Sequence, residues 1–386
     1  MIRTFLSGAS AALLALASGC GYHSAQSAVR EGAAAFHAKN FPKAIEAYGR
    51  AAKRITDSPE LYYNLGLSHW HEGNMETAEA AYRAALELRP DYSDALKGLG
   101  DVAYSRKNWS EARVCLERAL AATTNALDQA KILNSLALVE SAQDRNDMAR
   151  LNLLRALKAC MRYDAAYYNL ASLYRDKFNL REEALDNFEI YVRLADPKDE
   201  HYDKAMNSLR RLRLNLDRTR AEEMDGVRRD PASASKALQE GVRLYALKQY
   251  AKAVNAYRDA LAADPFTFSA AFGMGMALRK LGQSAEAAEA FRRATEISPG
   301  HQDSYYQAAD LLLQLRRPAD AAKMLDRAIA RSPFNPANAE VMARIRHAEN
   351  RLPEARAYGE FYLSLLPAND RNRAAYEKWV NALPAK

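Results

Sequence analysis

Residues 61–90 read LYYNLGLSHWHEGNMETAEAAYRAALELRP. Large residues (Tyr62, Leu65, Tyr82) alternate with small ones (Gly66, Ala78, Ala85), and Pro90 stands where a second helix must stop. Small positions let two helices approach, and large ones fill the gaps. The pattern repeats. AIEAY (44–48), AEAAY (78–82), ARVCL (112–116), AVNAY (253–257), AAEAF (287–291), AAKML (321–325) and ARAYG (355–359) begin on alanines spaced by 34 within each group. Ala149 and Ala184 continue the first group with steps of 37 and 35. A fixed period of this length takes precedence over any local motif. One hairpin cannot bury its apolar faces alone, whereas stacked hairpins can.

The units resemble tetratricopeptide repeats, a family of 34-residue helix–turn–helix units. The resemblance rests on Tyr62, Leu65, Gly66, Gly73, Ala78, Tyr82, Ala85 and Pro90, and on Leu99, Gly100, Ala112 and Ala119. Gly241, Ala253, Tyr257, Ala260 and Pro265 match in a sixth unit, and Gly275, Gly282, Ala287, Phe291, Ala294 and Pro299 in a seventh. It covers roughly residues 24–368 and implies an all-α fold, a right-handed superhelix (solenoid) in two arrays joined by a capping and linker helix.

Composition agrees. Among 386 residues there are only 16 glycines and 13 prolines, so breakers are few and helix formers many. Net charge is +7 from 55 basic and 48 acidic residues, too diffuse to argue for nucleic acid. The expected organisation is a signal peptide at 1–19, five repeats at 24–198, a capping helix and linker at 199–232, four repeats at 233–368 and a C-terminal capping helix at 369–386. Tyr202, Ala205, Met206, Leu209, Leu212 and Leu216 give the linker helix one apolar face, broken after Asp225-Gly226 and Asp230-Pro231. In the last helix Asp370 is the expected cap, with Ala375, Trp379 and Leu383 on one face.

At the N-terminus, Arg3 precedes an apolar run from Phe5 to Ala17 with no polar face, too short to span a bilayer stably. Leu16-Ala17-Ser18-Gly19-Cys20 resembles a bacterial lipobox, although Ala17 stands where leucine is usual. That resemblance implies lipid attachment at Cys20 and a periplasm-facing place on the bacterial outer membrane. A cut after Ala15-Leu16-Ala17, leaving a soluble periplasmic protein, is the alternative. Cys115 and Cys160 fall too far apart in the repeat register for a disulfide and read as small core fillers.

Chemistry-bearing motifs are scarce. The sequence contains no H-E-x-x-H, P-loop, G-x-S-x-G or C-x-x-C. GMGMALRKLG (273–282) lies within a repeat helix and follows no strand. His69 and His71 are two residues apart on a helix, about 200° around it, a poor arrangement for sharing a metal. Arg210, Arg211, Arg213, Arg218 and Arg220 could meet an acidic partner or anionic polymer, or form the wet side of a linker. No enzyme, cofactor or metal is expected.

In the family, the fifth, ninth and twelfth positions of a unit's first helix line a concave wall. Carried over, they give Tyr63, Trp70, Lys97, Asp101, Tyr104, Tyr168 and Arg175, then Tyr245, Phe272, Arg279, Tyr306 and Asp310. Aromatics interleaved with charges suit a peptide or partner helix; the alternative is that the aromatics pack between units. Family positions for clamping a C-terminal carboxylate hold Val29, Ala33, Asp94 and Gly98, with only Asn64 matching. The resulting expectation is a lipid-anchored adaptor of envelope assembly, for pilus or secretin, outer-membrane or cell-wall machinery. A regulatory subunit of a polysaccharide export or synthesis complex and a structural homo-oligomer are alternatives.

Overall fold

The computed structural model describes residues 24–384 apart from 225, 226 and 228. The apolar N-terminal run, Cys20 and the Asp225-Gly226 break lie outside the described residues. The protein is all-helical. Repeat one pairs α1 (24–37) with α2 (Phe41–Ala52), and repeat two pairs α3 (Pro59–His71) with α4 (Met75–Leu88). Repeat three holds α5 (Ser93–Ser105) and α6 (Trp109–Ala121); repeat four holds α7 (Ala126–Ala142) and α8 (Asn146–Ala159). Repeat five holds α9 (Asp164–Leu173), a π turn at Tyr174–Phe178, and α10 (Arg181–Leu194), followed by α11 (Tyr202–Met224). Then come α12 (Pro231–Ala246) with α13 (Tyr250–Ala263), and α14 (Phe268–Lys280) with α15 (Ser284–Ile297). Next are α16 (Gln302–Gln314) with α17 (Pro318–Arg331), α18 (Pro336–Ala348) with α19 (Leu352–Leu365), and last α20 (Arg373–Asn381).

The stops and starts have local causes. α4, α13, α15 and α17 end two residues before Pro90, Pro265, Pro299 and Pro333. The intervening Arg89, Asp264, Ser298 and Ser332 have left helical ψ, as a residue before proline must. Asn40, Ser58, Asn108, Asn125, Asp230 and Asn335 cap helices by accepting first-turn N–H groups. Each hairpin turn contains one left-handed residue: Lys39, Gly73, Lys107, Asp144, Asn179, Lys248, Gly282, Arg316 or Asn350. Glycine meets this need at Gly73 and Gly282, and the longer side chains tolerate it at a cost.

In repeats one, two, three, six and seven a bulky second-helix residue lodges against first-helix glycines. A Cβ on Gly66 would lie 2.8 Å from the Tyr82 ring, and one on Gly98, in the next repeat, 2.6 Å. Tyr257 is held the same way between Gly241 and Gly273, at 2.6 and 2.7 Å. Gly275 receives Phe291 and Gly100 receives Leu116.

The chain divides into two compact units, one ending at Tyr163 and the other beginning at Asp164. Repeat five, expected with the first array, therefore belongs to the second compact unit. An ionic clasp lies inside that unit. Arg331 on α17 bonds Glu182 at 2.5 Å and Glu183 at 2.9 Å on α10, and Arg327 adds a contact to Glu183 at 3.4 Å. Glu183 is only 1% exposed. The start of α12 is pinned too: Arg229 forks onto Asp264 at 3.0 and 2.9 Å, and the Asp230 N–H bonds Ala263 O.

Four finer expectations are corrected. Met206 is solvent-exposed, while Ala205, Leu209 and Leu212 are buried as expected. Asp370 accepts the Asn372 N–H in the turn before α20, and Asn372 is the cap residue. The buried face of α20 carries Val380 and Leu383 while Ala375 is exposed, because Val380 fits the hollow over Gly359. Cys115 is a buried filler, whereas Cys160 is the half-exposed residue that ends α8; both are free thiols.

Two mutational outcomes follow. Gly98→Ala forces the Tyr82 ring and lowers stability by about 1–3 kcal/mol, while Gly49→Ala, in open space within α2, raises it by about 0.5–1 kcal/mol; urea unfolding midpoints separate the two. Arg327→Ala/Arg331→Ala strands the buried Glu183 carboxylate at a cost of about 3–5 kcal/mol. Adding Glu183→Leu recovers most of that loss if the clasp is what holds α10 to α17, and none if it is not.

Candidate partner-binding faces

Successive first helices come close to one another, α3 to α5, α5 to α7, α12 to α14 and α16 to α18, while successive second helices splay. Within each unit the first helices therefore form the inner, concave side. The residues expected on that side stand in different states.

In the first unit, Lys97 and Asp101 form an ion pair at 2.5 Å one turn apart on α5. The Ser135 hydroxyl, thirty-four residues on in α7, donates to the other Asp101 oxygen at 3.1 Å. Tyr63 packs between Tyr82 and Tyr92, ring centroids 5.9 and 5.5 Å away. Burial and then the nearby Asp94 carboxylate push the Tyr63 phenol above its usual range. Trp70 stands edge-on to His71 at 5.0 Å, its Nε1–H buried without a partner. Tyr104 lies against Trp109 at 5.3 Å. Burial, reinforced by Asp128, raises the Asp94 carboxyl. This face is an aromatic wall beside a fixed line of Lys97, Asp101 and Ser135.

In the second unit, Tyr168 and Arg175 meet the cap. The His201 ring stacks on Tyr168 at 4.7 Å and 9°. Arg175 donates to Asp176 at 2.6 and 2.8 Å and to the Ser208 hydroxyl on α11 at 2.8 Å, above the Phe188 ring. Farther along, Tyr245 packs on Tyr250, and Phe272 packs among Phe268, Phe291 and His301. Arg279 bonds Gln307 and lies 3.7 Å from Asp310. Asp310 also accepts from Arg344 at 3.2 Å and Gln314 at 3.0 Å. The Tyr306 hydroxyl donates to Asn338 at 3.0 Å, and burial followed by Asp303 pushes its pKa up to about 12. Burial also raises Glu340, with Arg344 opposing and Asp310 reinforcing.

The second-unit face thus changes character along its length. Val242 is 55% exposed one turn before Tyr245. The half-buried Leu238, Phe272 and Met276 lie on α12 and α14 as well, and the network of Arg279, Gln307, Asp310 and Arg344 spans α14, α16 and α18. Ser135, Gln307, Asn338 and Arg344 were absent from the sequence assignment. Spacing could have found two of them, since Ser135 and Arg344 each lie thirty-four residues beyond an assigned aspartate. Sizeable clefts occur elsewhere. One of ≈ 520 Å³ lies among α13, α14 and α15, lined by Leu261, Met274, Leu278 and Ala290. Among the described residues, no three His, Cys, Asp or Glu side chains are grouped to hold a metal. No helix there is long and apolar enough to cross a membrane.

Models of the tetratricopeptide repeat family match residues 57–125, 238–301 and 278–345. Human protein O-mannosyl-transferase TMTC3 is 26% identical over 155 residues, 39% of this chain and 17% of that protein, so the chain spans under a fifth of its length. TTC0263, a tetratricopeptide repeat protein of Thermus thermophilus, shares 20% identity at a TM-score of 0.43, covering 48% of this chain and 98% of that one. The TPR2AB domain of yeast Sti1, in a complex with pHSP90, shares 19% identity at a TM-score of 0.29, covering 68% and 98%. Proteins of this family are scaffolds for protein interaction. Its stacked helix pairs, its thirty-four-residue spacing and the three family matches make this chain a tetratricopeptide repeat protein.

Proposed function

We propose that this protein is a lipid-anchored adaptor of the bacterial cell envelope, holding partner proteins by peptide segments laid along its concave faces. The observation that carries this reading is the inner row itself. Aromatic and charged side chains are fixed by their own neighbours at repeat spacing, Asp101 to Ser135 and Asp310 to Arg344. Side chains ordered before binding lose little entropy when a partner arrives. The first-unit face suits a segment offering both charge signs and a flat apolar group. The second-unit face suits one with apolar side chains at one end, opposite Val242 and Phe272, and polar or charged groups at the other. Placement at the envelope is supported by the apolar run before Cys20. The work is non-covalent, and no reacting group is needed for it.

Affinity capture from solubilised envelopes tests the face. Lys97→Ala/Tyr104→Ala changes two inner-row side chains outside the glycine-lined core. It weakens retention of captured partners by about tenfold or more, as loss of about 1–2 kcal/mol of anchor contact requires. An unchanged captured set would remove the first-unit face from the proposal. Growth with labelled fatty acid tests the anchor: wild type takes up label and Cys20→Ser does not. Unlabelled wild type means a protein held in the periplasm without lipid.

A further inference from the structure

α11 belongs to no repeat. Its inner face is buried through Ala205, Leu209 and Leu212 and packs on α10. Its opposite face meets solvent, and the arrangement there is unusual. Leu214 is 65% exposed. Arg210 and Arg211 precede it by four and three residues and Arg218 follows by four, the spacings that share one helix face. Arg210 and Arg211 are exposed and make no ion pair with the described residues. The Arg218 side chain is 79% exposed and, among the described residues, pairs with a similarly solvent-facing Glu222 at 3.3 Å. Residues 204–218 hold five basic residues against one acidic residue, Asp217. Of the five, Arg213 is held by Glu189 on α10 at 2.5 Å, which fixes the helix and leaves the outer three arginines available.

We infer that this face of α11 is a docking site for an anionic lipid bilayer surface. Size decides between a bilayer and a protein partner. The stripe from Arg210 to Arg218 is about 12 Å long. A stable protein interface needs roughly 800 Å² on each side around a packed centre, far more than one convex helix stripe supplies. A bilayer surface asks for no shape complementarity. It takes up an apolar side chain at the headgroup level while arginines bend around it to the phosphates. A leucine exposed at the centre of three unpaired or solvent-facing arginines fits that demand. Burying charge-balanced surface elsewhere on the chain would not. The overall charge of +7 adds attraction at longer range. The inference does not rest on lipid attachment at Cys20, because it concerns where the folded part touches the membrane.

Hydrogen–deuterium exchange of the full chain on vesicles tests it. Phosphatidylcholine vesicles with phosphatidylglycerol slow exchange along α11. Pure phosphatidylcholine vesicles do not, and high salt removes the effect. Each arginine at an anionic surface is worth about fivefold in partition. Arg210→Glu/Arg211→Glu/Arg218→Glu therefore abolishes the α11 protection and weakens salt-sensitive binding at least tenfold. Arg30→Glu/Arg54→Glu/Lys107→Glu makes the same charge change at exposed sites in the first unit and leaves the protection in place. The inference is overturned if α11 exchanges alike on both vesicle types or if both triple variants lose binding equally. It is also overturned if polyglutamate protects α11 while anionic vesicles do not, an outcome that would make the site one for an acidic protein. Membrane retention through the N-terminus persists in all these variants, so failure here leaves the adaptor reading intact.

Discussion

The structure depends on one steric fit: a bulky side chain from a second helix wedged between two backbones that have no Cβ to offer. Tyr82 enters the hollow over Gly66 in its own repeat and over Gly98 in the next, and Tyr257 does the same over Gly241 and Gly273. Each ring therefore belongs to two repeats at once. The consequence is geometric as well as energetic. A ring gripped from both sides fixes how far apart two successive first helices lie, α3 from α5 and α12 from α14; at the next interface, α5 to α7, the Ser135 hydroxyl reaches Asp101.

From that spacing follows the character of the inner faces. Were the repeats looser, Lys97, Asp101, Arg279 and Asp310 would be separate surface charges, each worth little. Held in register, they become a line of cross-repeat bonds. Asp310 is the clearest case, accepting from Arg344 one repeat on and lying near Arg279 one repeat back. The aromatic members act differently. Tyr63 and Phe272 are packed both by their own repeat and by the start of the next, Tyr92 and His301, and each stays a half-buried plate. Such plates add contact area at low entropic cost. A partner would meet a surface already shaped by the core rather than one that it must organise.

Much of this was legible in the sequence because it is local or periodic. Helix ends at Pro90, Pro265, Pro299 and Pro333, the small positions, and the face of each first helix all repeat at a fixed interval. What was not legible is what breaks the interval. Glu182 and Arg331 are 149 residues apart, and neither is marked in any local pattern, so the allegiance of repeat five could not be read. The engagement of Tyr168 and Arg175 with the cap was hidden for the same reason, since His201 and Ser208 lie outside the period. Left-handed turns at Lys107 and Arg316 escaped too, because only glycine announces that conformation in sequence.

The clasp between α10 and α17 also changes how the second unit should respond to stress. A solenoid whose repeats touch only their neighbours can fray from an end, losing one interface at a time. In the second unit, repeat eight is tied back to repeat five through a carboxylate that is almost wholly buried. Opening any interface between them must either strain that tie or break it. Breaking it leaves Glu183 facing an apolar surround without its guanidinium partners. Repeats six and seven are thus enclosed between two fixed points, and their interfaces cannot open independently. The first unit is held by nearest-neighbour contacts, wedges of the Tyr82 kind and bonds such as Asp101 to Ser135 and Arg113 to Glu140. Its inner face can flex repeat by repeat, whereas the apolar and charged parts of the second face that lie within the clasp, Val242 to Asp310, are held at a constant separation. That difference favours adaptable recognition on one unit and length-selective recognition on the other.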